Sequence, residues 1–309
     1  MRLIFMGSPE FAVPSLRTTA DSGWMAGVIT QPARPKGRGQ KVTLSPIAHE
    51  CLQMGIEPMM PDSVKTPQFL EEFKRLKPDI GVVVAYGKIL PPEILTIPEL
   101  GCVNVHASLL PELRGAAPIQ WAVAKGARET GVTLMQMDEG MDTGPILLQE
   151  RTSVGERETA VQLARRLSVM AADILRKGLP ALARGELTPV PQDDTLATYA
   201  SLLKREDGLI DWSMAAEEIH NRVRGFAPWP GTYTVFGGKR ILIPAALPLD
   251  APSGSEPGKV LEAGTGGILI ACGEGALRIL SLKPEGKREM TAPEFLAGHR
   301  LAPGDRFDK

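Results

Sequence analysis

IGVVVAY, residues 80–86, is the run on which the fold of this 309-residue chain turns. Ile80, Val82, Val83 and Val84 place branched apolar side chains on both faces of an extended segment, with no polar alternation. A strand of that kind has to be covered on both sides, which is the situation inside a mainly parallel sheet. Outward from it, residues 2–6 make a short apolar run ending at Gly7, and Phe11, Val13 and Leu16 follow at helical spacing. Residues 25–30 read as a second strand and 56–60 as a short third. Residues 46–54 and 68–76 read as helices, the latter with Phe69, Phe73 and Leu76 on one face. Further on, 132–137 and 145–148 read as strands around the turn DEGMDTG, and 159–183 as a long helix carrying Leu163, Leu167, Met170, Ile174 and Leu175. Strand and helix alternate, so the first half is expected to be a parallel sheet with helices on both faces.

The pattern changes at residues 185–194, GELTPVPQDD, which hold two prolines and no apolar period. The boundaries expected are a first domain over 1–189, a linker over 190–205 and a second domain over 206–309. Beyond the linker come a helix at 215–223, short strands at 232–236, 240–244, 258–262, 268–271 and 277–282, and a helix at 291–299. Gly237 and Gly238 fit a hairpin turn. Five short strands in about a hundred residues predict a small barrel of the OB type.

Composition excludes several classes. Hydrophobic residues are 43% and charged residues 23%, ordinary for a soluble chain, and the net charge of -1 requires any basic footprint to be local. Cys51, Cys102 and Cys272 form no CxxC pair, and His49, His106, His220 and His299 are scattered, so no disulfide framework and no metal site are expected. The apolar run at 3–6 is too short for a leader peptide, and no stretch nears the roughly 20 residues of a membrane helix. A reducing cytoplasm is expected. The turn GSPEF lacks G-x-G-x-x-G, so a nicotinamide cofactor is not expected.

Chemistry concentrates in GCVNVHASLLPELRGAAP, residues 101–118. Val103 and Val105 alternate with Asn104 and His106, so the two polar side chains leave one face of a strand just before an irregular loop. A lone histidine there would most often be solvated or hydrogen-bonded, but Asp142, in the Gly-bounded turn DEGMDTG, adds a carboxylate from a second strand end. A local alternative for Asp142 is capping the turn before Thr143 and Gly144. Ser108 lacks a G-x-S-x-G setting and no nucleophile is needed.

These two pieces, with MRLIFMGSPEF at the start and the later DWS and PWPG, closely resemble the formyltransferases that use 10-formyltetrahydrofolate. The resemblance spans almost the whole chain. It implies an α/β fold, a Rossmann-like mainly parallel sheet domain followed by a small OB-like β-barrel domain. It implies 10-formyltetrahydrofolate as co-substrate, no metal, and catalysis by Asn104, His106 and Asp142. It further suggests that Ser108, Leu109, Leu110 and Pro111 line the folate pocket, with Tyr86, Gly87, Ile89 and Leu90 as a second wall; a plain strand-to-helix loop is the alternative for the latter group.

The acceptor is read from residues 31–41, QPARPKGRGQK, where Arg34, Lys36, Arg38 and Lys41 stand among Pro and Gly with no acid. On composition this is either a solvated basic loop or a phosphate-binding one. Within the family it resembles the loop of the branch that acts on initiator methionyl-tRNA, with Arg38 in the key position, and a monomer is expected. Arg222, Arg224, Lys239, Arg240, Lys283, Lys287 and Arg288 offer further cations, yet from Arg205 onward 13 Lys and Arg face 14 Asp and Glu. Phe11 is a candidate for holding the methionyl side chain, with a helix-start core residue as the alternative. Formylation of a small amine such as an amino-sugar nucleotide, or RNA binding by a catalytically silent protein, are the alternatives for the whole chain.

Overall fold

The structure, a computed structural model, describes residues 1–36, 41–250 and 254–308. The chain divides into two compact units. The first takes Met1–Pro118, Glu129–Ser153 and Ala164–Ala200; the second takes Ile119–Arg128, Val154–Leu163 and Ser201–Lys309.

In chain order, β1 (Leu3–Gly7) leads through a 3-10 turn (Glu10–Ala12) into α1 (Val13–Asp21), then β2 (Met25–Ile29). A short hairpin, β3 (Arg34–Lys36) and β4 (Lys41–Thr43), precedes α2 (Pro46–Gln53) and α3 (Pro67–Arg75). The side chains of Ser45 and Thr66 accept from the N–H groups of Ala48 and Phe69, and a proline follows each cap, so both helices start where local chemistry tells them to. The chain continues through β5 (Ile80–Val84), α4 (Pro92–Thr96), β6 (Cys102–His106), the two-residue β7 (Arg114–Gly115) and α5 (Pro118–Ala124). Then come β8 (Glu129–Gln136), β9 (Ile146–Ser153), α6 (Ala160–Ala183) and β10 (Tyr199–Ala200).

The main sheet of the first unit runs β2-β1-β5-β6-β8-β9. It is parallel from β2 to β6 and antiparallel from β6 to β9. All five residues of β1 and all five of β5 are buried, as their unbroken apolar runs require. On one face Ile4, Met6, Val83 and Cys102 pack with Phe69, Phe73 and Ile94. At α6, a Cβ on Gly178 would stand 2.5 Å from Leu134, so this glycine lets the helix lie close on β8. Residues 56–60 do not form the expected strand. Only Met59 bridges to Ile29: its N–H donates to Val28 O and its carbonyl accepts from Thr30 N, and Pro61, the next residue on that side, has no N–H to extend the ladder.

The second unit holds α7 (Ala216–Gly225), β11 (Tyr233–Phe236), β12 (Lys239–Leu249), β13 (Val260–Gly264), β14 (Gly267–Ala271), β15 (Ala276–Pro284), β16 (Met290–Thr291) and α8 (Ala292–Gly298). Its antiparallel sheet runs β11-β12-β15-β14-β13, with β16 on β15. The strand expected over 240–244 extends to Leu249 by shifting register on either side of Ala245. Residues 305–308 join the two sheet edges into a barrel. Asp305 O accepts from Val260 N at 2.8 Å, Phe307 N donates to Gly258 O at 2.9 Å, and Asp308 N donates to Val235 O at 2.9 Å. Inside, Ile219, Val223, Ile243, Ile270, Leu277, Phe295 and Phe307 share one core.

Candidate active site

Parallel strands place their C-terminal ends on one side of the sheet, where open α/β folds keep their sites. The ends of β1, β2 and β5 are tied together there. Ser8 Oγ and Gln31 Nε2 both donate to Tyr86 O, at 3.1 and 2.8 Å, and Gln31 N donates to Ser8 Oγ at 3.3 Å. Gly87 has φ +77°, which favours glycine, and a Cβ on it would meet Gln31 Nε2 at 2.7 Å, so a larger residue there would have to displace the Gln31 amide from the knot.

β6 ends next to it. Strand alternation puts Asn104 and His106 on one face, opposite Met135 and Thr133 of β8. His106 is only 6% exposed and both its ring nitrogens are engaged: Nε2 lies 2.9 Å from Leu113 O, Nδ1 3.5 Å from Asp142 Oδ2. A carbonyl can only accept, so Nε2 carries the N–H, and a proton on Nδ1 points at the carboxylate. The same Asp142 oxygen accepts from Gly115 N at 2.8 Å. Asn104 stands one pleat away, half-buried. An amide, an imidazole and a carboxylate so arranged can donate to a developing oxyanion and carry a proton.

The loop after β6 is built to present that carbonyl. Leu113 has φ +59°, which costs a non-glycine residue about 1 kcal/mol. The conformation is held by Leu113 N donating to Thr198 Oγ1 at 2.9 Å while its carbonyl meets the imidazole. Asp142 is also left-handed at φ +55°, which Asp tolerates more readily. The segment 108–111 folds back on buried Thr133, whose hydroxyl donates to Ser108 O at 2.7 Å and accepts from Leu110 N at 3.2 Å and Gln149 Nε2 at 3.0 Å. Gln149 Nε2 also donates to Leu110 O at 2.8 Å, and Ser108 Oγ to Glu112 O at 2.6 Å.

The other expected residues fall in different places. Leu109 and Pro111 are half-buried, Ser108 and Leu110 buried. Tyr86 turns its ring into the core with Phe69, Phe73, Leu90 and Ile94, where burial pushes its hydroxyl up to about 12. Ile89 is 80% exposed, and Lys88 Nζ donates to the carbonyls of Pro61 and Asp62. Phe11 is half-buried in the turn after β1, and Arg34 is exposed at the base of the β3–β4 hairpin. Lys36 and Lys41 pair across that hairpin; Arg38 lies outside the described residues. In the second unit Arg224 is no surface cation: it is buried, on Asn221 Oδ1 and the carbonyls of Gly155 and Glu158. Sequence reasoning passed over Thr133, Gln149 and Leu113, since no local pattern separates a loop-holding side chain from an ordinary strand residue. Among the described residues no group of three or more His, Cys, Asp or Glu stands together as a metal site, and no helix is long and apolar enough to cross a membrane.

Known proteins resemble this chain in sequence and in fold. A protein of Myxococcus xanthus named methionyl-tRNA formyltransferase is 48% identical over 306 residues, covering 99% of this chain and 97% of the relative. One of the same name from Citrifermentans bemidjiense is also 48% identical, over 311 residues, covering 100% of this chain and 97% of the relative. Among solved structures, WlaRD, a sugar 3N-formyl transferase, superposes with a TM-score of 0.68 at 18% identity over 93% of this chain and 99% of that one, which is a likeness of fold. The family described as formyl transferase matches residues 1–179, and the formyl transferase C-terminal domain matches residues 202–300. Those two matches cover most of the sheet domain and of the barrel, and the chain belongs to the formyltransferase family.

Proposed function

We propose that this formyltransferase moves the formyl group of 10-formyltetrahydrofolate to the amino group of methionyl initiator tRNA, as a cytoplasmic enzyme of translation initiation. The relatives named methionyl-tRNA formyltransferase, matched over nearly their whole length, support methionyl-tRNA as the acceptor. The observation that carries the chemistry is the His106 ring set 3.5 Å from Asp142 at the end of β6. The amine nitrogen attacks the formyl carbon and the carbonyl electron pair moves to oxygen. Asn104 donates to that oxyanion, and His106 joins it by exchanging one of its internal partners for substrate. The intermediate collapses with cleavage of the bond to the folate nitrogen, which takes up a proton, while the amine releases one through the His106 and Asp142 pair. Removing the Asn104 donor is expected to cost about 3 kcal/mol of barrier, roughly a hundredfold in rate.

Folate is assigned to the loop of Ser108, Leu109, Leu110 and Pro111, with Gly87 and Ile89 facing it and Tyr86 and Leu90 supporting from the core. Arg34, Lys36, Arg38 and Lys41 are assigned to tRNA phosphates and Phe11 to the methionyl side chain. The test offers the enzyme 10-formyltetrahydrofolate with charged initiator tRNA, charged elongator methionine tRNA and an amino-sugar nucleotide in parallel. Formylation confined to the initiator is the expected result; turnover of the sugar amine alone, or of none, overturns the reading. Binding to the initiator should weaken on the order of a hundredfold between 50 and 200 mM salt if four cations meet phosphates.

A further inference from the structure

We propose that Gln192 is a positioning residue for this reaction, the side chain that keeps the Asp142 carboxylate turned toward His106; the proposal rests on the reading of the site given above. Gln192 lies in the stretch whose composition reads as a linker, and it is half-buried. Its amide spends its whole hydrogen-bonding capacity on two segments that flank the site. Oε1 accepts from Arg114 Nε at 3.0 Å and from Arg114 Nη2 at 2.8 Å. Nε2 donates to Asp142 O at 2.8 Å and to Gly144 O at 2.7 Å.

Each end of this bridge needs it for a different reason. Arg114 is 2% exposed, and a buried guanidinium must have acceptors. Its other side-chain partner, Asp194 Oδ1 at 2.8 Å, belongs to a carboxylate that is 81% exposed and solvent-screened. The Asp142 turn is left-handed at its key residue, and the Asp142 side chain itself has Gly115 N and the His106 ring as partners. Gln192 fixes the backbone on both sides of Thr143, so the Cα–Cβ bond that aims the carboxylate cannot turn away without breaking two hydrogen bonds. Arg114 and Gly115, the residues of β7, therefore hold Asp142 twice: directly through an N–H, and through Gln192.

Two substitutions separate this role from support of Arg114 alone. Gln192→Met removes both functions at similar volume. Gln192→Glu keeps two acceptors for Arg114 but has no donor for the carbonyls of Asp142 and Gly144. With the full-length enzyme, 10-formyltetrahydrofolate and charged initiator tRNA, both variants should lose at least tenfold in kcat while KM for either substrate stays within twofold. The His106 ring resonances, followed by NMR and identified through His106→Gln among four histidines, should shift in both. A kcat in Gln192→Glu within twofold of the parent, or unmoved His106 resonances, overturns the assignment. A parent enzyme that transfers no formyl group sinks the proposed function instead, and the NMR comparison still decides the role of Gln192.

Discussion

Asp142→Asn leaves the left-handed backbone tolerable and an amide oxygen able to accept from Gly115 N, but it removes the charge that faces His106 Nδ1. Its kcat is expected to fall at least about a hundredfold with folate KM little changed, measured by steady-state formylation at saturating tRNA. A rate within threefold of the parent would remove Asp142 from the proton path. Asn104, His106 and Asp142 were legible because strand alternation and Gly-bounded turns are local patterns. Leu113 and Gln192 were not. Leu113 matters through a carbonyl, which every residue has, and Gln192 through a partner 50 positions away in the chain.

At the scale of elements, the β6 loop depends on β8 through one hydroxyl. Thr133→Val keeps shape and burial but removes the partner of Ser108 O and Leu110 N together and leaves Gln149 Nε2 with its bond to Leu110 O. The variant should lose about 1–3 kcal/mol in urea unfolding, and its folate KM should rise if segment 108–111 lines that pocket. Helices α1 and α2 carry a second dependence. Arg17 Nε and Nη2 donate to the two oxygens of Glu50, at 2.6 and 3.0 Å, and these hydrogen bonds hold the Glu50 carboxyl below the usual carboxylate range, against its burial. A carboxyl lowered by folding stabilises the fold above its unfolded value, about 4.3, and that contribution is lost as pH falls through the lower folded value. The urea midpoint of Arg17→Gln should therefore lie below the parent's at pH 7 and converge with it toward pH 3. Most elements were legible from period, as Phe69 and Phe73, both buried on one face of α3, show. The order of strands was not, since pairing of β6 with antiparallel β8 is decided by contacts 27 or more residues apart. Residues 56–60 misled because apolar content alone does not show which side of the segment faces β2, where Pro61 denies the ladder its next donor.

Across the whole molecule, the second family match ends at residue 300, short of the segment that seals the barrel. Phe307 in that segment is 1% exposed, with ring centroids 4.8 Å from Phe236 and 6.3 Å from Trp212. Phe307→Ala should cost about 3–5 kcal/mol, read as an earlier urea transition in tryptophan fluorescence, with kcat of the surviving folded fraction unchanged. The four residues 305–308 are too short to show a period, so their place as a stave could not be seen in the sequence.

That stave also imposes an order on biosynthesis. β11 is made some seventy residues before Asp308, and the edges at Val235 and Val260 must wait for their partners while the ribosome completes everything between. Nascent chains stalled anywhere short of Asp308 would offer those raw edges to chaperones or to one another.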